Sequence, residues 1–288
     1  MGVSGWSRQH ASWNIDLEAL ILLTAALKDA DPRLRDESTD WCIRYARFVS
    51  AARLRTLLRL SDDVSRQAFD EYAATVRSHA QVNWPATGPA RPYQSTGRSR
   101  LQDLSRPALF GVRQRALFGT GARAEIVRIL ALAPDRSFLT AEIADDAAFT
   151  KRAIEHELES LVLAGVIQRT TLHGRRHVQV AQPDVLLPFV GSRPQWSPSW
   201  PPLVRVLVGG LRLLARAEPL PPIVRAVEAR KLLSDMRSDI ERAGLPMPSD
   251  STVGTAVWDE FEVWLLHCSS ELAAGDPATL AAASALRA

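Results

Sequence analysis

Residues 170 to 180 read TTLHGRRHVQV, and they set a His-Gly step and two arginines between two runs of β-formers. Before the step, Val166, Ile167, Arg169 and Thr171 belong to one run; after it, His177, Val178, Gln179 and Val180 form the other. That pattern predicts two half-buried antiparallel strands joined at Gly174. A tip carrying His173, Arg175, Arg176 and His177 cannot be core. Three uses remain open: a solvated turn, a metal site made by the two histidines, or a cationic finger for a polyanion.

The stretch just before the hairpin narrows these. Thr150 stands where a helix N-cap is needed, and Ile154, Leu158, Leu161 and Val162 follow at helical spacing up to Gly165. Upstream, GARAEIVRILAL at 121–132 is an amphipathic helix with Ile126, Ile129 and Leu130 inward, ended by Pro134. A short strand is expected at 137–139, then a helix over AEIADDAA opened by Thr140, with Phe149 filling the turn. Helix, strand, helix, turn, helix and two-stranded wing is the order of a winged helix-turn-helix.

Residues 108–190 thus resemble the ArsR-like winged-helix transcription regulators, with similarity to the MarR group. The resemblance is carried by ARAEIVRIL for the first helix, TKRAIEHELESLVLAGVI for the recognition helix and GRRHVQV for the wing. It implies a cytoplasmic bacterial regulator that binds double-stranded DNA as a homodimer. It places base-reading positions on Thr150, Lys151, Arg152, Glu155 and His156, and phosphate contacts of the wing on Arg175 and Arg176. Arg169 and His173, in the wing strands and tip, complete the expected DNA-binding set. The Cys-x-Cys metal-sensing pattern of some members is missing, so metal sensing is not implied, and His173 with His177 lacks a third ligand. On this reading the hairpin tip is a cationic wing.

Elementary electrostatics supports part of that. Lys151 and Arg152 fall in the first helical turn, where free amides and the helix dipole favour an anion, and Arg can fork onto a guanine edge. Glu155, Glu157 and Glu159 pull the other way, and they favour an alternative in which the winged helix docks a protein, as an adaptor or antitoxin-like partner would.

Elsewhere the chain of 288 residues is expected to be mainly α, with helical domains on both sides of the central one. Residues 1–84 predict helices over 16–28, 38–60 and 61–80, with the tryptophans in the core. Residues 85–107 are rich in Pro, Gly, Ser and Arg and read as a linker; residues 85–120 hold six basic and one acidic side chain. Residues 191–288 predict helices over 200–217, 222–243 and 255–274, the last with a broad apolar and aromatic face suited to a core or a dimer interface. The flanking helical domains are the expected place for dimerisation, an effector or a protein partner.

Composition sets the outer bounds. Hydrophobic residues make up 46% and charged residues 23%, an ordinary globular balance, and the net charge is +3. Two cysteines, Cys42 and Cys268, lie far apart without ligand-spaced histidines, which argues against a zinc site or a disulfide framework. No membrane-spanning run is expected. No paired nucleophile and base and no phosphate-binding glycine loop is legible, so neither an enzyme nor a cofactor is expected.

Overall fold

The structure, a computed structural model, describes residues 13–27, 30–172, 174–195, 197–249 and 251–274. It is mainly helical with one small three-stranded sheet. The chain forms two compact units, one running to Ser197 and the other from Pro198 onward. No helix among the described residues is long and apolar enough to cross a membrane.

The first unit opens with α1 (Leu17–Ala26), capped by the Asp16 carboxylate, which accepts from the Ala19 amide at 3.0 Å. Next comes α2 (Pro32–Tyr45), for which Asp31 accepts from Leu34 N at 2.9 Å and Pro32 takes the first turn, where its missing N–H costs nothing. The single helix expected over 38–60 is in fact two. A 3-10 turn at Ala46–Phe48 breaks it, and Ser50 caps α3 (Ala51–Arg59). The break lets Phe48 and Val49 turn into the core. After α4 (Asp63–His79), the helices enclose a core of Leu17, Ile21, Trp41, Leu54, Phe69 and Val76, with Trp84 stacked on Phe69 at 6.3 Å between ring centroids.

Residues 81–106 contain neither helix nor strand, yet they are tied down throughout. Asp70 on α4 accepts from the amides of Thr87 at 2.7 Å and Gly88 at 2.5 Å. Asp40 on α2, fully buried, accepts from the Ser95 hydroxyl and from the amides of Gly97 at 2.9 Å and Ser99 at 3.0 Å. Arg91 is paired with Asp36, and Leu101 and Leu104 pack against the core. Burial would raise the Asp40 carboxyl, but these three donors pull it down to about 2. Its folded value lies below the ordinary 3.8, so its contribution is complete above that value and is lost as pH falls through about 2. Asp40→Asn is expected to cost about 1–3 kcal/mol and to speed amide exchange at Gly97 and Ser99 selectively; a variant with unchanged exchange there would refute the role.

The rest of this unit is built on α5 (Phe110–Phe118) and α6 (Ala122–Leu132), which pack together. β1 (Phe138–Leu139) leads into α7 (Thr140–Ala147), then α8 (Lys151–Leu163), β2 (Ile167–Leu172), β3 (Arg175–Val180) and α9 (Pro183–Val190). The sheet order is β1-β3-β2, all antiparallel. A second core of Phe110, Ile126, Leu130, Ile143, Ile154, Leu158, Ile167 and Val178 sits beneath. Both expected segments, 1–84 and 108–190, lie in this one unit. α5 serves both cores, giving Phe110 to one and Val112 to the other.

Between the two cores lies a set of buried charges. Glu18 accepts from Arg115 through both carboxylate oxygens at 2.7 Å and is paired with Arg53, and its Oε1 also accepts from Ser50 N at 2.6 Å. Arg53 is paired with Asp16, and Arg115 reaches Glu125 at 2.8 Å. Burial pushes the Asp16 and Glu125 carboxyls up, but the arginines override it and hold both below the usual carboxylate range.

The second unit contains α10 (Trp200–Ala217), α11 (Pro222–Asp235), α12 (Arg237–Ala243) and α13 (Ala256–Ala274). The helix expected over 222–243 is interrupted at Met236, which ends α11 and starts α12. Gly210 is required by packing: a Cβ there would stand 2.8 Å from the Leu265 methyls of α13.

Candidate nucleic-acid interface

The local sequence fixes α8 at both ends and from behind. In front of it, Glu142 accepts from the Leu139 amide at 2.8 Å and closes the start of α7. α7 ends on Ala148, which has a left-handed φ of 52°, an uncommon setting for a residue with a Cβ. Two contacts hold it: the Ala148 methyl is buried in the core of the N-terminal helices, and the buried Arg53 Nε donates to the Ala147 carbonyl at 2.8 Å. Thr150 then caps α8 by accepting from Ala153 N at 3.3 Å. Ile154, Leu158 and Leu161 face inward, so positions 151, 152, 155, 156 and 159 make the outer face.

On that outer face the charges are sorted. Lys151, Arg152, His156 and Glu159 are exposed. Glu155 instead is half-buried and accepts from Arg169 of β2 at 2.9 Å, while Glu157 accepts from Arg123 of α6 at 2.8 Å. Two of the expected interface residues, Glu155 and Arg169, are therefore brought together and bind each other. Arg123 joins this site from the start of α6, and nothing in its local sequence marks Glu157 as its partner.

The hairpin register decides where Arg175 and Arg176 go. Thr171 pairs with Arg176, Arg169 with Val178 and Ile167 with Val180, so these six share one face of the ribbon. That face is buried at its base and carries the Arg169 link to α8 toward its middle. Arg176 continues it on the α8 side. Arg175, paired with Leu172, lies on the opposite face with His177. Both arginines are exposed. Gly174 takes φ of 73°, the left-handed turn that its lack of a Cβ permits. His173 lies outside the described residues. Among the described residues no group of three His, Cys, Asp or Glu is placed to hold a metal ion. The arrangement can present an N-terminal helix turn bearing Lys151 and Arg152 beside a ribbon bearing Arg176, a combination suited to a polyanion. The chain matches no family model, no curated protein and no solved structure.

Proposed function

We propose that residues 108–190 are a winged helix-turn-helix resembling the ArsR-like regulators, that α8 reads double-stranded DNA in the major groove with the wing beside it, and that the protein is a homodimeric transcriptional regulator. The observation that carries this reading is the sorting of charge on α8. Its sequence is acidic, but Glu155 and Glu157 are tied to Arg169 and Arg123, whereas among the described residues Lys151, Arg152, Arg175 and Arg176 make no ion pair. The face left for a ligand is net cationic, with Lys151, Arg152 and Arg176 against the exposed Glu159. The amides at the start of α8 add the positive end of its dipole.

A second reading, a protein-docking winged helix, is favoured by one observation. Leu163 is 89% and Leu172 51% exposed at the end of α8 and at the ribbon tip, where a protein partner could cover them.

The test is binding to genomic DNA fragments across a salt series. The affinity is expected to fall with salt on a log–log plot, and Arg176→Ala to flatten the slope by about 0.9, one phosphate contact. Arg175→Ala, on the other face of the ribbon, is expected to change it less. A slope near zero, or binding already lost at physiological salt, would refute the DNA reading.

A further inference from the structure

The second unit leaves two helix stripes uncovered. Ile223, Val224 and Val227 on α11 and Val263 and Leu266 on α13 are all large, apolar and more than a third exposed, with Val263 at 67%. They repeat at three- and four-residue spacing, opposite the faces that α11 and α13 use for packing. Apolar stripes of this kind on neighbouring helices mark interaction surfaces.

Charge selects the occupant. Along the exposed side of α11 the apolar half comes first and Arg230 and Lys231 follow; along the exposed side of α13 Asp259 and Glu262 come first and the apolar half follows. Among the described residues Lys231, Asp259 and Glu262 make no ion pair, and Arg230 donates only to the Thr252 carbonyl at 2.6 Å. Arg225 of α11 lies over the Trp258 ring of α13 at 5.9 Å, and Arg230 reaches the Thr252 carbonyl in the segment that precedes α13. Each stripe is therefore the complement of the other in reverse direction: apolar against apolar, basic against acidic. A surface that carries both a pattern and its complement fits a second copy of itself.

We propose that α11 of one copy docks antiparallel on α13 of a second copy, and α13 on α11 in turn, forming a two-fold dimer through this surface. This deepens the homodimer part of the proposed function and rests on that part alone, since it does not require DNA.

The experiment uses the full chain and measures mass by sedimentation equilibrium at micromolar concentrations without DNA. Wild type is expected to be a dimer. Arg230→Glu with Lys231→Glu leaves both stripes acidic, and Asp259→Lys with Glu262→Lys leaves both basic; each variant alone is expected to be monomeric, with its self-association weakened at least about tenfold by like-charge contact. Mixed one to one, the two are expected to return to dimer mass, because acidic stripes then meet basic ones on both sides. An internal role of these charges could not produce that rescue. Val227→Asp, exposed in the single chain, should give a monomer that keeps the wild-type far-ultraviolet circular dichroism. A monomeric wild type, dimeric variants, or a mixture that stays monomeric would each overturn the inference, and none of them would touch the DNA-binding result.

Discussion

Arg53→Met is expected to destabilise the first unit by about 3–5 kcal/mol, the range seen when one member of a buried ion pair is removed. The size comes from what is left behind. Arg53 is fully buried, and its guanidinium serves Asp16, Glu18 and the Ala147 carbonyl at once. Arg115 can keep Glu18, to which it donates twice, but among the described residues Asp16 has no second arginine at hydrogen-bonding distance. Methionine fills the volume and supplies no donor, so a charged carboxylate and a backbone carbonyl lose their partner away from water. Lysine keeps the charge without the fork and is expected to recover only part of the loss. Urea unfolding at pH 7 measures it. Acid gives a second signature. Asp16 and Glu125 are held below their ordinary range in the folded state, so their contribution is complete above that range and disappears as pH falls through the folded values. Wild type should therefore lose stability steeply on the acid side, and Arg53→Met, lacking the partner that lowers Asp16, should lose it less steeply. Equal unfolding midpoints at pH 7 would refute the role.

The same arginine explains why the N-terminal helices belong with the segment that follows them. Its contact at Ala147 and the burial of Ala148 in the N-terminal core fix the turn from which α8 departs. Nothing in the sequence announces this, because Arg53 and Ala147 are distant along the chain and an arginine in an amphipathic helix reads as solvated. What was legible were signals that act within a few residues: the Thr150 cap, the 3.6-residue period of α8, the alternation of the ribbon and Gly174 at its tip. Breaks inside apolar runs were not. The period over 38–60 continues through Phe48 and Val49, and only the turn at Ala46–Phe48 and the Ser50 cap separate α2 from α3. Likewise Asp31-Pro32 is legible as a stop, but the same pair is also a start, since a capping carboxylate followed by proline suits a helix N-terminus. The Pro- and Gly-rich composition of 85–107 was that of a linker. The ordering comes from Asp40 and Asp70, carboxylates on two helices that accept the backbone amides this segment cannot satisfy itself. The acidity of α8 misleads for the same reason, because the arginines that neutralise Glu155 and Glu157 come from β2 and α6.

Arg152→Ala is expected to cost about 1–3 kcal/mol on the cognate DNA site and little on a scrambled duplex of equal length. Arg152 stands in the first turn of α8, exposed and without an ion pair among the described residues, on the outer side opposite Ile154 and Leu158. A side chain there can reach a base edge when the helix enters the major groove, and a lost bidentate contact to guanine removes discrimination as well as affinity. Glu155 cannot substitute for it while Arg169 holds its carboxylate. Arg176→Ala is expected to behave differently, weakening cognate and scrambled duplexes alike, because a wing arginine meets phosphate or groove width rather than a base edge. One anisotropy series with wild type, the two variants and both duplexes separates the roles. Equal losses for the two variants on both duplexes would remove base reading from Arg152. If neither variant alters weak binding that disappears near physiological salt, and a protein partner is lost on replacing Leu163 by Asp, the winged helix docks protein and its cationic face serves an acidic surface instead.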